Sequence, residues 1–416
     1  MRIALMILTV LSLSTSVLAQ RAIIATTDFS TGSLSQLDLT TDQATNDLLL
    51  IHSDAAVATH GDHVYILNKL NSDNVIVLGK DDLATPITQY STGNGSNPHD
   101  IAFISNEKAY ISLYAHDYLL VVNPTTGDSL GTIDVSGFAD NDGLPEISQL
   151  AVFGSYVFVS AQRLDRDAFF APSGESTIIV IDAGSDTLVD VDAEQDGIQG
   201  ITLEGANPTS VIQRGGHLIV ATVGSFGAQD GGIEVVNLVT MSTEGRKVTE
   251  EALEGDVGAM AMISDTEGYI VVSDANFANS VKRFSLATGM VSATLPDHST
   301  GYTPGLAVAG TSLYVLDQGT FSNPELAGVG VYDTSTNTRI AGPISSGLPP
   351  SDIVFVDLNP ADYDDDGAAD FDDFLLFAGA FGKRLGEAEY DSRFDLQADG
   401  LIDFSDFLVF AGHYGG

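Results

Sequence analysis

The sequence predicts an all-β chain, a seven-bladed β-propeller with velcro closure between its N- and C-terminal ends, followed by a small α-helical unit with two loops. Three observations predict it. A four-part strand unit recurs between residues 21 and 358, the two ends of that span each hold an incomplete unit, and an acidic loop followed by an apolar helix occurs twice after residue 359.

Each part of the unit is a short run rich in Val, Ile and Tyr, which is strand chemistry. The second part is the clearest: His63–Ile66, Lys108–Ile111, Tyr156–Val159, His217–Val220, Tyr269–Val272 and Leu313–Leu316. A third part follows each after a loop, at Asn74–Val77, Tyr118–Val121, Thr177–Val180, Gly232–Val235, Ser280–Phe284 and Gly328–Tyr332. Turn-formers such as Asn123-Pro124-Thr125-Thr126-Gly127 come next. The spacing is that of a propeller blade, with one longer step across an insertion before His217. The aromatic residues of the second strands are expected in the core between blades.

Six units are complete, and the leftovers make a seventh. Arg21–Thr26 and Ser33–Leu39 supply a second and a third strand without a first, and Ser351–Asp357 supplies a first strand with nothing after it. Joining them completes a blade and removes the open edge that an unclosed array would present. The units resemble the YVTN-repeat family of bacterial surface and secreted propellers, with Tyr314-Val315-Leu316-Asp317, Tyr65-Ile66-Leu67-Asn68 and Val331-Tyr332-Asp333 echoing its signatures. That resemblance specifies architecture rather than activity.

After Asn359-Pro360 the pattern changes. Asp362, Asp364, Asp366, Asp370 and Asp373 place oxygen ligands at loop positions 1, 3, 5, 9 and 12, with Gly367 at 6 and the Ala368 carbonyl at 7. Asp395, Gln397, Asp399, Asp403 and Asp406 repeat the scheme, with Gly400 at 6 and Leu401 at 7. This is the oxygen spacing of an EF-hand calcium loop, so two Ca2+ ions are expected, the second more weakly held because Gln397 replaces a carboxylate. A short apolar helix follows each loop, at Phe374–Gly379 and Phe407–Gly412.

Position 12 is Asp rather than Glu, and no helix precedes either loop. In both respects the tail resembles a dockerin type I domain, which implies attachment to a cohesin or another cell-surface protein. Positions 10 and 11, which help select the cohesin in that family, are Phe371-Asp372 and Phe404-Ser405 here rather than paired small or hydroxyl residues. The expected domains are a signal peptide over 1–19, the propeller over 20–358 and the dockerin-like unit over 359–416.

Composition narrows the partners. The 416 residues carry 57 acidic and 16 basic side chains, a formal net charge of −41. Nucleic acid and anionic membrane surfaces select for the opposite charge, so neither is expected. Without cysteine there is no disulfide, thiolate site or lipidated terminus. Arg2, the apolar run Ile3–Leu13 and Val17-Leu18-Ala19 before Gln20 read as an export signal. No later segment is apolar for long enough to span a bilayer, so the chain is expected outside the cell or at its surface.

Propeller loops before the first strand and between the second and third converge on one mouth of the central channel. His99, His116, Glu146 and Arg163 fall in such loops and are the candidate catalytic residues, with His99 and His116 expected from neighbouring blades. The competing reading is that Asn97-Pro98 and the Asp of Pro-x-x-Asp close turns between blades and cap backbone donors. No nucleotide fingerprint is present, since Gly93-Asn94-Gly95 precedes a strand. The expected function is non-catalytic binding of an extracellular glycan or protein. The alternative is a polysaccharide lyase or hydrolase with its site at the channel mouth.

Overall fold

In the computed structural model, residues 20–356, 359–363, 369–387 and 389–415 are described. The export-signal segment and loop residues Asp364, Asp366 and Ala368 lie outside them. Seven antiparallel sheets form the blades. Blade 1 orders Pro350–Val356, Arg21–Thr27, Gly32–Asp38 and Gln43–Ile51 from first to fourth strand. Blades 2 to 7 begin with first strands at Ala55–His60, Pro98–Ser105, Ile147–Phe153, Pro208–Arg214, Asp256–Met262 and Gly305–Ala309. Every expected second and third strand lies within one of these sheets.

The ring closes as the leftover segments require. Arg21 pairs with Val356 and Ala25 with Asp352, antiparallel, so the last strand of the span is the first of blade 1.

Packing explains why the second strands read as continuous apolar runs. Side chains alternate across a strand, and both faces of a blade are covered by neighbours. In His63–Asn68, Val64 and Ile66 pack with Ile23 and Leu34 of blade 1, while Tyr65 and Leu67 pack with Ile101 and Ile111 of blade 3. The same division yields one apolar cluster at each of the seven interfaces, and the cluster joining Ala22 and Ile24 to Tyr314 and Leu316 seals the ring. Tyr65, Tyr110, Phe158 and Tyr269 are fully buried, as expected of core aromatics. First strands are only half-buried along much of their length, because they line the axis. The longer step before His217 is an insertion in blade 4, where Leu164–Asp165 pairs with Ala171–Pro172 and Ile201–Thr202 pairs with Thr177–Asp182.

The tail has its own core of Tyr363, Phe377, Phe394, Ile402 and Phe410. Its helices run Phe371–Ala380 and Phe404–His413, starting earlier than the apolar run alone suggests. Asp370 and Asp403 cap them, each in a reciprocal capping box with Asp373 or Asp406, which draws the helix start back into the loop. The tail rests on hairpins between first and second strands. Gly154 N–H donates to the Ala398 carbonyl at 3.1 Å, Ser392 Oγ to Asp265 at 2.7 Å, and Leu385 covers Gly216 so closely that a Cβ there would overlap it. A cleft of about 1400 Å3 separates the rest of the tail from blades 5, 6, 7 and 1.

Candidate functional site

In the second loop of the tail, all six ligand positions are described. Gly400 takes φ +85°, a left-handed turn that a side chain would strain. Asp395 accepts from Asp399 N–H at 3.1 Å, Gly400 N–H at 2.8 Å and Tyr390 Oη at 2.5 Å. Asp406, fully buried, accepts from Gln397 N–H at 2.9 Å and Asp403 N–H at 2.8 Å. Burial, with Asp395 and Asp399 nearby, raises its carboxyl above the ordinary range. In the first loop Asp373 likewise accepts from Asp370 N–H at 2.8 Å, and its other oxygen accepts from Tyr363 N–H at 2.6 Å, one loop position earlier than Gln397.

The two repeats also interlock. Gly382, after the first helix, donates to the Ile402 carbonyl, and Gly415, after the second, donates to the Ala369 carbonyl, both at 2.7 Å. Among the described residues no three His, Asp or Glu side chains are gathered as a metal cluster. The donor set is nonetheless all oxygen, around a Gly turn, which suits a hard divalent cation.

At the channel mouth the candidate residues separate. His99 and His116 belong to the same blade, a correction to the expectation of neighbouring blades. His99 lies in the first strand of blade 3, and His116 in the loop between its second and third strands. Each ring stacks on its own tyrosine, His99 on Tyr114 with centroids 4.2 Å apart and His116 on Tyr118 at 4.9 Å. No hydrogen bond or ring contact joins the two among the described residues. His99 Nδ1 lies 3.1 Å from Ser148 Oγ, and burial pushes its imidazole down to about 3, so the ring is neutral at ordinary pH.

Glu146 is fully buried, with Oε2 accepting from Leu164 N–H at 3.0 Å and Oε1 without a hydrogen bond. Burial lifts this carboxyl to about 7. Arg163 turns away to the Glu175 carbonyl at 3.0 Å, and it is Arg166 Nε that lies 3.7 Å from Glu146. Arg166 is committed to Asp142 at 2.8 Å, a pairing that holds the Asp142 carboxyl at about 2. Asp142 is not singled out by the sequence, where its only local signal is the acidic turn Asp140-Asn141-Asp142-Gly143.

The turn-closing reading holds for the Asp of Pro98-His99-Asp100 and of Pro350-Ser351-Asp352. Asp100 accepts from Leu150 N–H of blade 4, and Asp352 from Val57 N–H of blade 2, at 2.8 and 2.9 Å, so each Asp fastens its blade to the next. Burial lifts Asp100 to about 6. Glu250 does similar work, accepting from Gly231 and Val257 N–H at 2.8 and 2.9 Å, and burial lifts it to about 7.

These carboxyls predict a pH response. A carboxyl whose folded pKa is raised binds its proton more readily in the folded state, so stability rises as pH falls from above 7 toward the unfolded value near 4. His99 opposes this below about 6.5, because its folded pKa is lowered. A tenfold difference in proton affinity between the folded and unfolded states is worth about 1.4 kcal/mol. About 1 kcal/mol moves the melting point of a domain of about 150–250 residues by about 2–4 °C, and of this longer chain by less, about 1.5 °C. Melting should therefore be higher at pH 6 than at pH 8 by about 3 °C, and the difference should shrink in Glu146→Gln/Glu250→Gln. An identical difference in that variant would assign the response elsewhere.

Fold and site together place the chain among seven-bladed β-propellers, and solved structures agree. Two proteins named as putative 6-phosphogluconolactonases share the fold. That from Bacteroides uniformis has 13% identity and TM-score 0.56, covering 81% of this chain and 99% of its own. That from Bacteroides fragilis has 13% identity and TM-score 0.53, covering 82% and 99%. Kuenenia stuttgartiensis hydrazine synthase has 16% identity and TM-score 0.51, covering 75% and 95%. Such identities show the fold alone. No family model and no curated protein matches the sequence. No helix among the described residues is long and apolar enough to cross a membrane.

Proposed function

We propose that this protein is an exported, non-catalytic propeller that binds an extracellular glycan or protein and is fastened outside the cell by a calcium-dependent, dockerin-like tail. The observation that carries the reading is the symmetry of the tail. Each repeat pairs a buried position-12 carboxylate with an outward apolar pair, Phe371 with Leu375 and Phe404 with Leu408. Phe371 and Phe404 occupy loop position 10, where the resembled family meets its partner. Asp362, Asp364, Asp366, Ala368, Asp370 and Asp373 would hold one Ca2+, and Asp395, Gln397, Asp399, Leu401, Asp403 and Asp406 the other. A bound ion would neutralise the carboxylates and fix the loops. The non-catalytic reading is favoured by the burial of Glu146, the neutrality of His99 and the commitment of Arg166 to Asp142.

The test is attachment. The intact protein should bind a cohesin-like or cell-surface protein in calcium and be released by chelator, and Phe371→Ser/Phe404→Ser should abolish capture without unfolding the tail. Capture unaffected by chelator would remove calcium from the mechanism. Absence of binding to a panel of cohesin modules and to the producing cell's surface would remove attachment.

A further inference from the structure

Twelve phenylalanines fall between residues 20 and 356. Six of them are exposed: Phe29, Phe169, Phe170, Phe226, Phe277 and Phe321, at between 52% and 106% of full accessibility. All six lie in loops joining the second and third strands, on blades 1, 4, 5, 6 and 7, and blade 2 offers exposed Leu70 at the same place. The hairpins of the opposite face expose no aromatic residue. Singly exposed aliphatic residues are ordinary, as Val239 and Met290 are on the opposite face, but phenylalanines on five of seven blades, always on one face, are a patterned surface.

The loops hold these rings outward. Phe29, Phe169, Phe170 and Phe277 sit at φ between +59° and +67°, a region unfavourable for bulky side chains. Asp28, Asp165 and Asp274 fold the turns by accepting from amides within their own loops.

We infer that this face docks a basic polypeptide surface, its phenylalanine tips entering apolar gaps between Lys and Arg side chains. The inference rests on the reading of the propeller as a binding module and names the partner's chemistry. Charge supplies the first argument. The loops between second and third strands carry nine carboxylates, Asp28, Asp117, Asp167 and Glu325 among them, against only Lys69, Arg163 and Arg166. Both arginines are already engaged. Asp28 and Asp274 are held below the usual carboxylate range by backbone amides, foremost those of Thr31 and Ala278, so they stay charged. An anionic membrane is repelled, and Lys or Arg is attracted to both carboxylates and ring faces.

Side-chain type supplies the second. Phenylalanine has no polar handle to orient a sugar, whereas it is an effective anchor in protein interfaces. The rings are also spread over five adjacent blades, 4 to 7 and 1, a span suited to an interface of about 800 Å2 per partner rather than to one small ligand.

The test uses the intact protein with defined probes: an amphipathic Lys/Leu helical peptide, an all-Lys peptide of equal length, a Glu/Leu helix, neutral xylan and anionic vesicles. The Lys/Leu peptide should bind about tenfold or more tightly than the other two peptides, and more weakly as salt rises. The variant Phe169→Ser/Phe170→Ser/Phe277→Ser/Phe321→Ser should lose about tenfold or more of that affinity with unchanged melting. Undiminished binding by the variant overturns the inference, as does preference for vesicles, association with a second copy through these residues, or silence toward every peptide. Xylan binding that the variant loses would overturn the polypeptide partner while leaving the binding-module reading intact. Turnover of a polysaccharide with no binding in any arm would remove that reading instead.

Discussion

A chain lacking Arg21–Asp38 should fail to give a soluble monomer. The deletion strips blade 1 of the strand that pairs with Pro350–Val356 and leaves an unpaired edge, a template for association with other chains. It also uncovers two of the seven inter-blade clusters at once, since Ile23 and Leu34 face blade 2 while Ala22, Ile24 and Leu37 face blade 7. Each fully buried Ile or Leu is worth about 1.5–3 kcal/mol. Losing Ile23, Ile24, Leu34 and Leu37 therefore approaches the about 5–15 kcal/mol that separates a folded domain from its unfolded ensemble. A point substitution isolates the seam. Ile24→Asp buries an unpaired carboxylate between blades 7 and 1 and should cost several kcal/mol, whereas Leu130→Asp on an exposed outer strand should cost almost nothing. Size-exclusion chromatography and amide exchange across residues 313–356 read both effects. A monomeric deletion with unchanged melting and exchange would show that the ring holds without its closure.

Calcium is the second large effect. Calorimetry on the intact protein should show two ions, with dissociation constants of about 0.1–1 mM if the loops behave as extracellular modules and lower if they are tighter. At a concentration about a hundredfold above the dissociation constant, binding stabilises the tail by about 2.7 kcal/mol. The site at Asp395 should be the weaker, because Gln397 brings no charge. Asp399→Ala tests it cleanly, since Asp399 is exposed and removing it spares the buried Asp406. The contacts on the propeller add a consequence. Ala398, inside the second loop, accepts from Gly154 N–H of blade 4, so calcium should slow amide exchange at Gly154 as well as in the tail. A stoichiometry unchanged by Asp362→Ala/Asp373→Ala and by Asp399→Ala would overturn the assignment of the loops.

How much of the fold is legible in the sequence follows from how local each cause is. Blade strands are legible because burial on both faces demands apolar runs such as Tyr156–Val159. The tail repeat is legible because its spacing is imposed by one short loop. The helix starts lie a turn earlier than the apolar runs suggest, since Asp370 and Asp403 act as caps while belonging by position to the loop. Exposed phenylalanines such as Phe277 and Phe321 carry a signal, since each falls in a loop between two strand runs. Composition alone assigns such residues to the core.

The sequence by itself determined the number of blades, the closure through both chain ends and the duplicated acidic loops, because periodicity and spacing are properties of neighbouring residues. Only the tertiary structure decided which polar groups meet. Asp352 reaches Val57 N–H, Asp265 reaches Ser392, and Arg166 rather than Arg163 lies beside Glu146. Those partners are distant along the chain or interchangeable by type, so their pairing depends on how the ring closes and on where the tail comes to rest. The stacking of His99 on Tyr114 arises in the same way, since folding sets the first strand of blade 3 beside the loop after its second.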